Sequence, residues 1–168
     1  MNNSLALSQE RHSAFERRLS LTAVAALLLG IAVYLLDRDW TRSLFMESFA
    51  GHQWPRLAVF GALGECLPSF LHAYAITVLL IVALWPWPRI RSWVCPQWFI
   101  LASLLEWLQS DAGSAWISET EIPLMACLKS YSVRGRFDYL DLLATGVGCV
   151  TALAVTIAIV PHRQRTSR

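Results

Sequence analysis

A chain of 168 residues that is 55% hydrophobic and only 15% charged, with a mean hydropathy of +0.44, is too apolar for a soluble domain of ordinary composition. Its net charge of +2 is mild and its basic residues form no stripe with interleaved aromatics, which argues against nucleic acid as a partner. Most of its eight tryptophans flank apolar runs, where an amphipathic ring favours the headgroup region of a bilayer.

In chain order, residues 1–18 are polar and place Arg11, Arg17 and Arg18 ahead of the first apolar run. That run, 19–36, would measure about 27 Å as a helix, close to the ~30 Å hydrocarbon core. Asp37, Arg38, Asp39 and Trp40 follow it where a signal peptide would have small residues for cleavage, so an uncleaved anchor is predicted. Between 37 and 67 the apolar clusters are short. Those around Leu44, Phe45, Met46 and Phe49 and from Leu57 to Leu63 predict an interfacial or re-entrant helix within 44–63.

A second span is predicted over 68–85, with Pro68 in its first turn, where the missing N–H costs nothing. Trp85, Pro86, Trp87 and Pro88 end it. A third covers 92–109, the least hydrophobic, followed by Asp111, Gly113 and Ser114, which read as a turn. A loop with charges of both signs, 111–137, leads to the fourth and most apolar span, 139–160, and a basic tail. The expected fold is an all-α polytopic membrane bundle of four transmembrane helices in a single domain, 1–168.

Eight of the fourteen Lys and Arg lie in the N-terminal segment, the 87–92 turn and the tail, and six in the two longer connections. By the positive-inside rule the first set is cytoplasmic, which puts both termini inside and the connections 37–67 and 111–137 outside. Cys66, Cys95, Cys127 and Cys149 form no CxxC pair and share no metal-ligand spacing with the histidines, so no metal and no cofactor are expected. Cys66 and Cys127 fall on one side and are either a disulfide or two free thiols. His52 and His162 sit in polar context and read as solvated.

On this topology several costly residues share one depth. His72 lies in the first turn of the second span and Glu106 and Gln109 near the outer end of the third. Asp141 opens the fourth, with Arg136 and Asp138 at its boundary. Ionisable groups in a span normally face the bundle interior and find partners. One reading is therefore a structural network, with Arg136 pairing Glu106 or Asp141 and Asp138 capping the fourth helix. The other is a polar pocket at the outer leaflet in which Arg136 holds an anionic group and His72 and Glu106 form an acid/base pair. Ala144, Gly148 and Ala152 make a small-residue stripe suited to close helix packing.

Three segments are similar to VanZ-like membrane proteins: LPSFLHAYAITVLL (67–80), LLEWLQ (104–109) and GRFDYLDLLATGVG (135–148). They match the family's His-led span, its Glu-x-x-Gln, and its Arg, Asp-x-x-Asp and Gly pattern, at His72, Glu106, Gln109, Arg136, Asp138, Asp141 and Gly148. Thr145 stands where the family usually has Asn, and Pro68 and Ser69 where an acidic residue is common. The resemblance implies a small multi-pass protein of the bacterial cytoplasmic (inner) membrane, in a family named for an association with glycopeptide resistance.

Three functions are compatible with these features. The first is a non-enzymatic pocket for a lipid-linked or cell-wall-related ligand. The second is a structural partner or assembly factor of a larger membrane complex, or a homo-oligomer. The third is an enzyme on a lipid-linked substrate, for which the sequence offers no Ser or Cys nucleophile motif and no phosphate-cradling loop. Membrane lipids are expected partners in each.

Overall fold

The computed structural model describes residues 2–37, 59–61, 63–120 and 126–159, with residues 2–12, Cys127 and Arg134 described by backbone alone. Most of the predicted helix within 44–63 (44–58 and 62), His52, His162 and the Cys127 side chain therefore lie outside the described residues or side chains, while 59–61 form a turn and 63 already belongs to the next helix. Seven helices occur among them: α1 (Asn2–Asp37), α2 (Leu63–Ala83), α3 (Pro88–Arg91), α4 (Val94–Leu108), α5 (Asp111–Ser118), α6 (Ala126–Arg134) and α7 (Tyr139–Ile159). Ser13–Asp37, Leu63–Ala83 and Tyr139–Ile159 are long and apolar enough to cross a membrane, and Val94–Leu108 is a shorter apolar helix. At 1.5 Å per residue α2 and α7 each reach about 31 Å and α4 about 22 Å.

Helix α1 runs well back into the polar segment expected to lie outside the span. It does so because Phe15 and Leu19 are buried there, with the Phe15 ring 4.6 Å from that of Trp85. Arg91 stacks 3.9 Å over the same indole, tying the turn after α2 to the start of the apolar part of α1. At the opposite end, Asp37 Oδ1 and Oδ2 accept from the backbone N–H groups of Val59 and Phe60 at 2.8 Å each.

Asp37 also lies against Gly64, where a Cβ would collide with its carboxylate. This contact moves the start of α2 to Leu63, five residues before the predicted boundary, and leaves Pro68 inside the helix rather than in its first turn. The proline ring removes the N–H that would have bonded the Gly64 carbonyl.

The core lies between α1 and α2, where Phe15, Leu19, Ala23 and Ala26 meet Leu71, Tyr74, Ala75 and Val78, with Ala152 of α7 joining. Tyr74 donates to Thr22 Oγ1 at 2.9 Å, and Thr22 in turn donates to the Leu19 carbonyl, so the one phenol in this core has a polar partner. The pairs Asp37–Gly64, Gly30–Leu71 and Phe15–Trp85 show α1 and α2 to be antiparallel.

Helices α2 and α7, by contrast, are parallel: Ser69 meets Asp141 and Thr77 meets Cys149. Their contact is close because Gly148 has no Cβ, which would sit 2.5 Å from the Phe70 carbonyl oxygen and 3.1 Å from Ala73 Cβ and Tyr74 N. The predicted stripe is thus used, with Gly148 and Ala152 buried against α2. Helix α4 returns antiparallel to α7, its Phe99 facing Gly146 and its Glu106 reaching Asp138.

The region read as a plain loop holds two short helices. Ser110 caps α5 by accepting from Gly113 N at 3.2 Å, and Gly113 fits under the end of α4, where a Cβ would strike the Trp107 carbonyl. Helix α6 is pinned by Ser132 Oγ donating to the Leu108 carbonyl at 2.5 Å and by Lys129 Nζ donating to the Ser118 carbonyl at 3.1 Å. Cys66 carries a free thiol.

Candidate functional site

A cavity of about 190 Å³ opens where the N-terminal half of α2, the face of α4 from Trp98 to Glu106, the first turns of α7 and α6 come together. Its polar lining is Ser69, His72, Glu106, Tyr131, Asp141 and Thr145, closed by Trp98 and apolar side chains of α2, α4 and α7. Helical spacing explains the grouping. Ser69 and His72 are three apart on α2, and Trp98, Ala102, Leu105 and Glu106 follow i, i+4, i+7, i+8 on α4, so each set shares one face. Along α4 the lining extends about 12 Å.

Ser69 Oγ donates to Asp141 Oδ1 at 2.6 Å, linking α2 to α7 across the site. Glu106 Oε1 accepts from Asp138 N at 2.8 Å, linking α4 to the start of α7. His72 lies about 13 Å into α2 rather than in its first turn, and its Nδ1 is 2.8 Å from the Pro68 carbonyl. A carbonyl only accepts, so Nδ1 is the donor in this contact. The ring edge also packs on Gly30, with Cε1 3.7 Å from where a Cβ would be.

The six candidate residues are thus distributed unevenly. His72, Glu106 and Asp141 meet in the cavity. Asp138 caps α7, its Oδ1 accepting from Leu140 N at 2.8 Å, as expected of a helix-start aspartate. Gln109 stands behind the site, packed on Gly135 where any Cβ would displace it.

Arg136 is exposed and lies outside the cavity lining. It follows α6 and precedes the α7 cap, so of the expected cluster it is a residue that the structure does not bring into the cavity lining.

Four lining residues escaped the sequence reading. Trp98 resembled an interface anchor, yet its indole Nε1 is buried with no hydrogen-bond acceptor among the described residues. Tyr131 sits on a helix that was not anticipated. Burial, then the nearby Glu106 carboxylate, pushes its phenol pKa up, opposed by a hydrogen bond from Gln109 and assisted by Asp141. Ser69 and Thr145 are small hydroxyls on spans, a signal too common to single out. Among the described residues no group of His, Cys, Asp and Glu is arranged to hold a metal ion.

Comparison with protein-family models, curated proteins and solved structures finds no match to this chain.

Proposed function

We propose that this protein is a four-pass, VanZ-like protein of the bacterial cytoplasmic membrane whose cavity binds part of a lipid-linked or cell-wall-related ligand without transforming it. The observation that carries the reading is the cavity itself: His72, Glu106 and Asp141, drawn from three helices, line one polar space with Trp98 and Tyr131. Polar groups convergent in an otherwise apolar concavity are the usual form of a binding site. Its ~190 Å³ is below the 300–1,000 Å³ of whole-ligand pockets, which suits a fragment such as a headgroup.

The parallel run of α2 and α7 supports four crossings. If both cross in the same direction, the chain must return between them, and α4 is the helix that makes the return. Short for the task at about 22 Å, α4 is flanked by Trp93 and Trp107, which suit the two interfaces. The excess of Arg near Phe15, Trp85 and in the tail sequence supports the reading in which that end is cytoplasmic and the cavity lies in the outer half.

A second reading is favoured by the hydrogen bonds Ser69–Asp141 and Glu106–Asp138, which by themselves would hold the bundle together for a partner complex. Lipid mass spectrometry of the purified wild type, Glu106→Gln and Arg136→Ala separates the two. On the binding reading Glu106→Gln accumulates normally and loses a co-purifying lipid, and envelope-antibiotic sensitivity changes with it, whereas exposed Arg136→Ala has the smaller effect. Loss of accumulation with no lipid difference would favour the scaffold.

A further inference from the structure

We propose that Cys95 of α4 and Cys149 of α7 are a redox-sensitive thiol pair, which an apolar hydroperoxide dissolved in the bilayer closes into a disulfide that fastens the two helices beneath the cavity. The pair goes beyond the binding reading and shares with it only the crossing of the membrane by α4.

The register of the antiparallel α4 and α7 brings the two thiols together. Glu106 meets Asp138 N near one end of the helix pair, and Phe99 faces Gly146 further along. Cys95 lies eleven residues back along α4 from Glu106, and Cys149 eleven residues on along α7 from Asp138. Eleven residues make about three turns, so each cysteine falls on the face its helix turns to the other, about 16 Å beyond the Glu106–Asp138 contact. The two side chains are accordingly within hydrogen-bonding reach of each other, and both thiols are free. Ala102 and Glu106 of α4, with Leu142 and Thr145 of α7, follow the same faces into the cavity lining. The sulfurs thus sit beneath the cavity, between the same two walls.

Their surroundings decide what can oxidise them. Cys149 is 1% exposed, covered by α2, whose buried Thr77 donates to its Sγ at 3.5 Å. Cys95, in the first turn of α4, is only half-buried and is the sulfur an oxidant reaches first. It attacks the terminal oxygen of the hydroperoxide and becomes a sulfenic acid, while the alkoxide leaves with the thiol proton as an alcohol. Cys149 then attacks the Cys95 sulfur. The S–S bond forms, and the sulfenic hydroxyl departs with the Cys149 proton as water. Two thiols are oxidised and one O–O bond is reduced, so the step needs no further reagent.

The test uses the full chain carrying Cys66→Ser and Cys127→Ser in lipid nanodiscs, treated with cumene hydroperoxide or hydrogen peroxide, quenched with N-ethylmaleimide and mapped by non-reducing peptide mass spectrometry. A Cys95–Cys149 linked peptide should form and be reversed by a reductant. Cumene hydroperoxide should form it about tenfold faster than hydrogen peroxide at equal concentration, because its apolar body partitions into the bilayer. Cys149→Ala should leave Cys95 as a sulfenic acid trapped by dimedone, and Cys95→Ser should leave Cys149 unmodified. The link should also slow amide exchange in the first turns of α4 severalfold. Absence of the linked peptide, whether both thiols stay reduced or Cys95 alone takes dimedone, overturns the proposal. Equal rates with the two peroxides overturn the bilayer oxidant, and exchange in α4 unaltered by the link overturns the fastening.

Discussion

Ser69 on α2 donates a 2.6 Å hydrogen bond to Asp141 on α7, and because those helices are parallel this contact, with Thr77 to Cys149 two turns further on, fixes the register of the two walls of the cavity. Bonds to an ionised acceptor are worth about 1.5–3 kcal/mol in water-soluble proteins, whereas interhelical bonds within membranes average about 0.6 kcal/mol. The site is polar but enclosed by spans, so a value between these, about 1 kcal/mol, is expected. Ser69→Ala should lower thermal stability in detergent by that amount. A double-mutant cycle with Asp141→Asn should show coupling of similar size, and a coupling near zero would mean the contact does not link the helices.

Gly148 determines how near α7 approaches α2. A Cβ there would lie 2.5 Å from the Phe70 carbonyl oxygen and 3.1 Å from Ala73 Cβ and the Tyr74 nitrogen, and backbone cannot yield locally, so Gly148→Ala should cost about 1–3 kcal/mol through overpacking. Gly146 is the control. A Cβ at that position meets only the edge of the Phe99 ring at 3.2 Å, which can rotate aside, so Gly146→Ala should change the melting temperature little. Equal effects of the two substitutions would contradict the close α2–α7 contact.

The parts of this fold that were legible in the sequence are those governed by local hydropathy. The start of α7 at Tyr139 and its cap Asp138 follow from a charged boundary beside a long apolar run. What was illegible depended on contacts remote in sequence. Leu63 to Leu67 contains Gly and Glu and looks like loop, but becomes helix because Gly64 docks on Asp37. Helix α1 continues through Phe15 because Trp85 covers it.

The same distinction separates the site residues. His72, Glu106 and Asp141 are conspicuous as polar groups on apolar helices, and they meet. Trp98 is one tryptophan among eight, and nothing local distinguishes an indole turned toward a cavity from one at the lipid interface. Arg136 was equally conspicuous, yet it is exposed, because the direction of a side chain between two helices depends on how α6 docks and not on its neighbours in sequence. Ser69 and Thr145, hydroxyls of α2 and α7 with no local mark of their own, both line the cavity.

Asp37 ends α1 by accepting from both Val59 N and Phe60 N. Asp37→Ala leaves these two donors to solvent and removes the wall against which Gly64 sits. Amide hydrogen exchange at Val59, Phe60 and the first turn of α2 should accelerate at least tenfold, with exchange in α7 unchanged. Asp37→Asn keeps one acceptor oxygen and should show an intermediate rate. Acceleration spread evenly over the bundle would indicate global destabilisation and not loss of a local clasp.

Tyr131, on α6 outside the long apolar helices, has a phenol pKa raised above its ordinary value of about 10, first by burial and then by the Glu106 carboxylate. The unfolded chain loses this proton near pH 10 while the folded chain still holds it, so between pH 10 and the raised folded value the unfolded state binds fewer protons. Stability contributed by the neutral phenol is therefore full below pH 10 and declines as pH rises through that window. Absorbance titration should show one of the four tyrosines ionising late, and Tyr131→Phe should abolish that phase. Glu106→Gln removes the neighbouring negative charge and should move the phase to lower pH without abolishing it, because burial remains. A late phase that survives Tyr131→Phe, or that ignores Glu106→Gln, would mean that the phenol and the carboxylate do not share the cavity.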